Sequence, residues 1–264
     1  MSYLFQTLQS RIIILIVMVA IPGLAGMFYD SFIEREHAIN AAINQAVNTA
    51  KTHSKVQANL IDKTRLFLKN LSEFEAVQQP SSPQCSSFLA SVLKVNSNYV
   101  NIGVPRDGGQ LLCNAQPMKS AINVYDRPYI QKAIASRDFS IGEFQIDRAT
   151  NLASVNFAYP VIDSEQGTLV GLVVAVISLQ WWSEILSESY LPEHTVAFIT
   201  DSENNIIAAY PTNENLLGAH LEAINSASER TIPVTDGTAF LSNGPYQRVY
   251  VKETANKSRS LTLS

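Results

Sequence analysis

The chain has 264 residues, 46% of them hydrophobic and 16% charged, with a formal net charge of −4. That balance is ordinary for a folded globular protein and argues against long disordered regions. It also carries no basic cluster, so nucleic acid is not an expected partner. Two cysteines and four scattered histidines offer no metal-ligand spacing, so neither a metal nor a cofactor is expected.

Residues 12–29, IIILIVMVAIPGLAGMFY, contain no charged side chain. A helix needs about 20 apolar residues to cross a bilayer core, and Pro22 is tolerable in such a helix. Arg11 precedes the run, while Asp30, Glu34 and Glu36 outweigh Arg35 after it. That asymmetry favours a cytoplasmic N-terminus (residues 1–11) and an exported remainder. A cleaved signal peptide is the competing reading, but its apolar region usually spans only about 7–15 residues and no A-x-A site precedes Asp30. The expectation is one retained membrane-spanning helix over 12–29.

Residues 30–79 read as one long amphipathic helix. No glycine or proline falls between Ser31 and Val77, and helix formers dominate. Apolar residues recur at Phe32, Ile39 and Ala46, and at Ile43 and Ala50. After the polar patch Lys51–Lys55 a second stripe runs through Val56, Leu60, Phe67, Leu71 and Phe74. The stripe suits either a homodimer seam or packing on the chain's own domain.

Gln78–Pro83 is a breaker. A helix follows Cys85, then a strand at Tyr99–Val104, a turn at Arg106–Gly109 and a returning strand at Gln110–Cys113. In an exported segment, oxidising conditions favour a Cys85–Cys113 disulfide; two separately buried thiols are the alternative.

The stretch Val124–Leu179 predicts a helix opening near Asp126-Arg127-Pro128, with Ile130, Ala133 and Ile134 at helical spacing. A strand is expected over 141–146, a turn over 147–151, a strand over 153–161, a turn over 163–167 and a strand over 169–177. Such an order makes half of a small antiparallel sheet with a pocket between helix and sheet. Beyond it, Gln180–Leu186 reads as a helix whose Trp181 and Trp182 pack at a module junction. Strands follow at 194–200 and 206–209, around a polar turn that echoes the first hairpin, a weak internal repeat. A short helix to about Ala227 and short strands at 232–234, 240–241 and 248–251 complete the pattern. The final SRSLTLS alternates like the start of another strand, so the chain is expected to be the front part of a longer protein.

Taken together, the membrane helix, the long emerging helix, the Cys-to-Cys hairpin, DRPYIQKA, NFAYPVID, Gly167 and GLVVAVISL resemble the double Cache sensor domains of bacterial transmembrane receptors. The resemblance covers essentially everything after Ser31. It implies an α+β fold: a transmembrane helix, a long N-terminal helix, then two PAS-like antiparallel-sheet modules in series. These would be a membrane-distal module over 80–189 and an incomplete membrane-proximal module over 190–264. It further implies a place in the bacterial inner membrane, with the bulk of the chain periplasmic. Partners would be a small-molecule ligand and a second copy of the chain through the long helix. The output, a diguanylate cyclase, histidine kinase or chemotaxis unit, would lie beyond residue 264; the cysteine pair leans towards cyclase-linked (c-di-GMP) sensors.

Arg127 and Pro128 match the R-P start of the pattern with which amino-acid-binding members hold a carboxylate, a role that suits a planar guanidinium. Tyr129 and Ile130 stand where that subgroup has Trp-Tyr, Gln145 stands where it has a tyrosine, and Val176 replaces its ammonium-binding aspartate. An unpaired ammonium would be costly to bury, which disfavours an α-amino acid and leaves a carboxylate or other small anion on Arg127. The candidate ligand-binding residues are Arg127, Tyr129, Gln145, Asn156 and Tyr159. Asn156 and Tyr159 sit three apart on one strand and point to opposite faces, so at most one of them lines the pocket. Asp163 belongs to the turn before Gly167.

The expected function is therefore ligand sensing and signalling. Catalysis is not expected: no G-x-S-x-G or H-E-x-x-H motif is present. The alternative is a membrane-anchored adaptor or structural protein that keeps the sensor fold without ligand or output.

Overall fold

The computed structural model describes residues 8–163, 165–188, 197–220, 238–243, 246–251, 253–254 and 261–263. Its backbone contacts divide the chain into two units, 1–48 and 49–264.

Helix α1 is continuous from Leu8 to Ser72. In the first unit, Ile12, Leu15, Ile16, Val17, Met18, Val19 and Ile21 are all exposed, so this part of the helix is apolar around its circumference. Among the described residues no helix is long and apolar enough to cross a membrane; several side chains of the 12–29 run lie outside them.

In the second unit the buried face of α1 is His53, Gln57, Leu60, Ile61, Thr64, Leu68 and Leu71, a helical stripe with three polar members. Of the apolar stripe read from the sequence, Leu60 and Leu71 are buried, whereas Val56 and Phe74 are exposed. The face is rotated because His53, Gln57 and Thr64 point inward and a purely apolar pattern skips them. Burial lowers the pKa of His53. The Thr64 and Tyr99 hydroxyls pair at 3.0 Å, Phe67 stacks on Tyr99, and the Arg65 guanidinium lies 4.8 Å over the Phe139 ring.

The main sheet has strand order β2-β1-β6-β5-β3, with β4 also on β5. Its members are β1 Asn101–Pro105, β2 Leu111–Asn114, β3 Ser140–Ile141, β4 Gln145–Ile146, β5 Ala153–Ile162 and β6 Leu169–Ser178. All pairs are antiparallel. Both β5 and β6 are buried along nearly their whole length, which requires cover on both faces. Helix α4, Pro128–Ser136, covers one face: Tyr129, Ile130 and Ala133 pack with Ala158, Leu172, Val174 and Val176. Phe157, on the opposite face, contacts Phe139 and through it the Arg65 side of α1.

Helix α3, Pro83–Lys94, starts on the Ser82 cap with Pro83 in its first turn, and α2 is the short turn Glu75–Gln78. Cys85 of α3 is bonded to Cys113 of β2, with Cα atoms 5.9 Å apart. The disulfide reading thus holds, and the alternative of two separate thiols falls.

One continuous strand over 141–146 does not form. Gly142 still donates to the Asn156 carbonyl at 2.7 Å, but Glu143 and Phe144 leave the sheet for the following module. The Phe144 N–H donates to Asp201 Oδ2 at 2.9 Å, the Ser202 N–H donates to Glu143 Oε2 at 3.0 Å, and the Ser202 hydroxyl donates to Glu143 Oε1. That module begins after α5, Leu179–Ser187, with the hairpin β7 Ala197–Asp201 and β8 Ile206–Tyr210. Strand β12, Leu261–Leu263, pairs with β7, and β11, Glu253–Thr254, pairs with β12. Strands β9, Thr238–Asn243, and β10, Tyr246–Val251, form a separate hairpin. The helix expected to about Ala227 and the strand at 232–234 lie outside the described residues.

Two measurements test this account. The disulfide closes a loop across 28 positions, worth about 3–4 kcal/mol in a chain-entropy treatment. The C85S/C113S double variant is expected to lose that much in urea unfolding. At the junction, burial raises the Glu143 pKa, with the Asp201 and Glu203 charges adding to it against the Ser202 hydrogen bonds. The folded state then holds this proton more tightly than the unfolded chain. Its contribution to stability falls as pH rises from the ordinary glutamate value through the raised one. E143Q is expected to flatten that part of the stability curve, which begins at the ordinary glutamate value near pH 4 and extends above it; an unchanged slope would contradict the assignment.

Candidate ligand pocket

A cavity of about 20 Å³ lies between α4 and the sheet, room for roughly one water molecule. Its wall follows from strand register. Asn101 on β1 and Asn156 on β5 both stand opposite Val176 of β6. Directly paired residues share a sheet face, so two carboxamides flank one valine on the face that α4 covers. Val174, two residues earlier, continues the apolar floor.

Hydrogen bonds fix the polar groups. Asn101 Nδ2 donates to Asn114 Oδ1 at 2.9 Å, and Asn114 Nδ2 donates to the Gln116 carbonyl at 2.7 Å. Ser154 Oγ donates to Asn156 Oδ1 at 2.8 Å. Asn156 Nδ2 then faces two acceptors, the Tyr129 hydroxyl at 3.3 Å and Asp147 Oδ1 at 3.2 Å. Tyr129 comes from the first turn of α4, is 5% exposed, and has its phenol pKa pushed up to about 12, first by burial. The phenol therefore stays protonated at any working pH. Asp147 opens the turn before β5, where its Oδ2 accepts from the Ala149 N–H, the Thr150 N–H and the Thr150 hydroxyl.

The sequence-derived candidates divide. Tyr129 lines the cavity, and Asn156, outside the lining, donates to its hydroxyl. Gln145 is buried beside them: its side chain interacts with the Tyr129 hydroxyl, and its Nε2 finds no acceptor. Tyr159 stands opposite Val173, on the face away from Asn156. Arg127 is the N-cap residue of α4 without a side-chain cap. Its Nη2 donates to the Ile146 carbonyl at 3.0 Å, and it is not among the residues lining the cavity. Asp147, Asn101 and Asn114 are additions. The available signal was asparagine inside buried strands, where it is disfavoured unless it has a specific partner.

The rim is tied shut from outside. Arg148 makes two parallel hydrogen bonds to Asp126, at 2.6 and 2.7 Å, and another to the Asn123 carbonyl. This bond from Arg148 is the first cause holding the Asp126 carboxyl below the usual range. It joins the segment that contributes Ile122 and Val124 to the cavity to the turn that contributes Asp147 and Ala149.

Comparison with known proteins places this geometry. No curated protein matches the sequence. Among solved structures, an extracellular domain assigned to a histidine kinase, rpHK1S-Z16, aligns at TM-score 0.69 and 14% identity, over 86% of this chain and 94% of its own. The ligand-binding domain of the Pseudomonas fluorescens chemoreceptor CtaA in complex with L-leucine aligns at TM-score 0.67 and 17% identity, over 86% and 95%. That of the Pseudomonas aeruginosa PAO1 amino acid chemoreceptor PctB in complex with L-Arg aligns at 0.67 and 14%, over 85% and 94%. At such identities these structures establish a shared fold. The model of the Cache domain family, dCache_1, matches residues 35–259. By that match, the chain belongs to the Cache domain family.

Proposed function

We propose that this chain is the extracytoplasmic sensing region of a membrane signalling receptor, that a small molecule binds between α4 and the sheet, and that α1 passes the signal on. The observation that carries the reading is the two-sided use of β5 and β6. Alternate residues of these strands face the cavity under α4 and the buried packing on the reverse face, towards α1. A ligand that alters the sheet face can act only by binding two arrangements with different affinity, and α1 is the element positioned to report the difference. Similar structures hold L-leucine and L-Arg. In this chain an α-amino acid would meet Val176 in place of an acid and an Arg127 whose guanidinium is engaged outside the cavity.

In the same reading, residues 12–29 are a single membrane-spanning helix with residues 1–11 cytoplasmic, supported by the uncharged run and its exposed apolar residues. The modules span 80–189 and 190–264, and the receptor acts as a homodimer. The exposed side of α1 offers Val56 and Leu66, with the exposed Asn59 and Lys63 between them. These four positions alternate in steps of three and four along the helix, the spacing of a two-helix seam, where a polar member fixes the register.

Differential scanning fluorimetry of the purified chain in detergent, against a library of small carboxylates, amines and purines, tests the pocket. At least one compound is expected to raise Tm saturably, and N156A is expected to abolish the shift. A shift that survives N156A would remove the cavity from the reading. For the seam, L66C is expected to give a disulfide-linked dimer in membranes, while a cysteine at Asp107, on the hairpin turn, is not.

A further inference from the structure

We propose that the turn of residues 147–151 is a hinged lid over the cavity, and that the Arg148–Asp126 pair is its latch. The inference rests on the reading that this cavity admits a small molecule, and adds how one enters. At about 20 Å³ the closed cavity holds roughly one water molecule, so entry of anything larger requires a wall to move.

Most walls are held. Strands β1 and β6 pair within the sheet, and β2 is tied to α3 through the Cys85–Cys113 bond. Tyr129 is buried in the first turn of α4. The segment that carries Ile122 and Val124 is laced to the first hairpin by its backbone. The Leu111 N–H donates to the Ile122 carbonyl at 2.9 Å, and the Val124 N–H donates to the Gly109 carbonyl at 2.8 Å.

The remaining wall, Asp147 and Ala149, belongs to the turn between β4 and β5. Internal bonds make that turn one unit: the Asn151 N–H donates to the Asp147 carbonyl at 2.8 Å, and three donors from Ala149 and Thr150 converge on Asp147 Oδ2. Among the described residues, the hydrogen bonds that leave the hairpin from 148–151 all come from Arg148, two to Asp126 and one to the Asn123 carbonyl. Arg127 holds the base of the arm at the Ile146 carbonyl, which places the hinge just beyond the two-residue strand β4. Opening also releases the 3.2 Å contact between Asn156 and Asp147 Oδ1.

A second observation supplies the route. An open groove of about 480 Å³ runs along the outer side of the turn, lined by Leu93, Tyr99, Val100 and Pro117 together with Ala149 and Leu152. Ala149 borders both the groove and the cavity, so lifting the turn joins them. The side chains of the latch are 39% and 63% exposed, where water and salt compete for an ion pair. Such a pair breaks readily, and its two-point geometry recloses the turn in one register.

The purified chain in detergent tests this without a ligand. The native cysteines are bonded to each other, so V176C on the cavity floor presents the one thiol. Its rate of modification by the small neutral reagent methyl methanethiosulfonate reports opening. R148Q is expected to speed that reaction about fivefold or more. Salt at about 1 M sodium chloride is expected to speed it in the parent and to leave R148Q unchanged. D126N is expected to act like R148Q, and the R148Q/D126N double variant to be no faster than R148Q. V161C, buried on the reverse face of β5, controls for unfolding, and R148Q is expected to leave its rate unchanged. V174C reads the same cavity should V176C not fold. Equal rates in R148Q and the parent, an equal acceleration at V161C, or accelerations by R148Q and D126N that multiply would each overturn the latch and leave the sensor reading intact. A lid that opens as expected beside a library in which nothing binds would remove the sensor reading alone.

Discussion

The antiparallel pairing of β5 with β6 is the constraint on which the rest depends. It runs from Ser154 opposite Ser178 to Ile162 opposite Leu169 and is buried on both faces. A slip of one residue would exchange the faces: Val174 and Val176 would turn from the cavity to the reverse side, and Asn156 would lose Tyr129 and Asp147. The turn between the strands helps to hold the register. Asp163 Oδ1 accepts from the N–H groups of Glu165 and Gln166, and Gly167 takes φ +66°, a region that favours glycine.

Much of this was legible in the chain. Short strand-like runs between polar turns marked β5 and β6, Pro128 marked the start of α4, and the glycine-free stretch marked α1. What escaped reading did so for identifiable reasons. The inward face of α1 includes His53, Gln57 and Thr64, and a hydrophobic pattern cannot count polar residues that are buried. The split of strand 141–146 depends on Asp201 and Ser202, nearly sixty residues away, which no local propensity registers.

The site was half legible for a similar reason. Tyr129, Asn156 and Gln145 follow from position on helix and strand. Asp147 looked like a turn residue, and it is one: Oδ2 closes the turn while Oδ1 reaches the cavity. Arg127 shows the opposite case. The R-P pattern suggests a carboxylate clamp, and one guanidinium nitrogen, Nη2, donates to the nearby Ile146 carbonyl. A motif states which side chains are available; the backbone acceptors around them decide where each is used.

The departure of residues 142–144 from the sheet has a consequence for how far a disturbance at the cavity can travel. Gln145 and Asp147 stand at one end of a five-residue span, and Glu143, gripped by Ser202, stands at the other. The span has little slack, because Gly142 remains pinned to Asn156 on one side and Phe144 to Asp201 on the other. It works as a short tether between the two sheets. A rearrangement of the Asp147 turn would reach the second sheet along the backbone to Phe144 and Glu143 and then through their hydrogen bonds to Asp201 and Ser202.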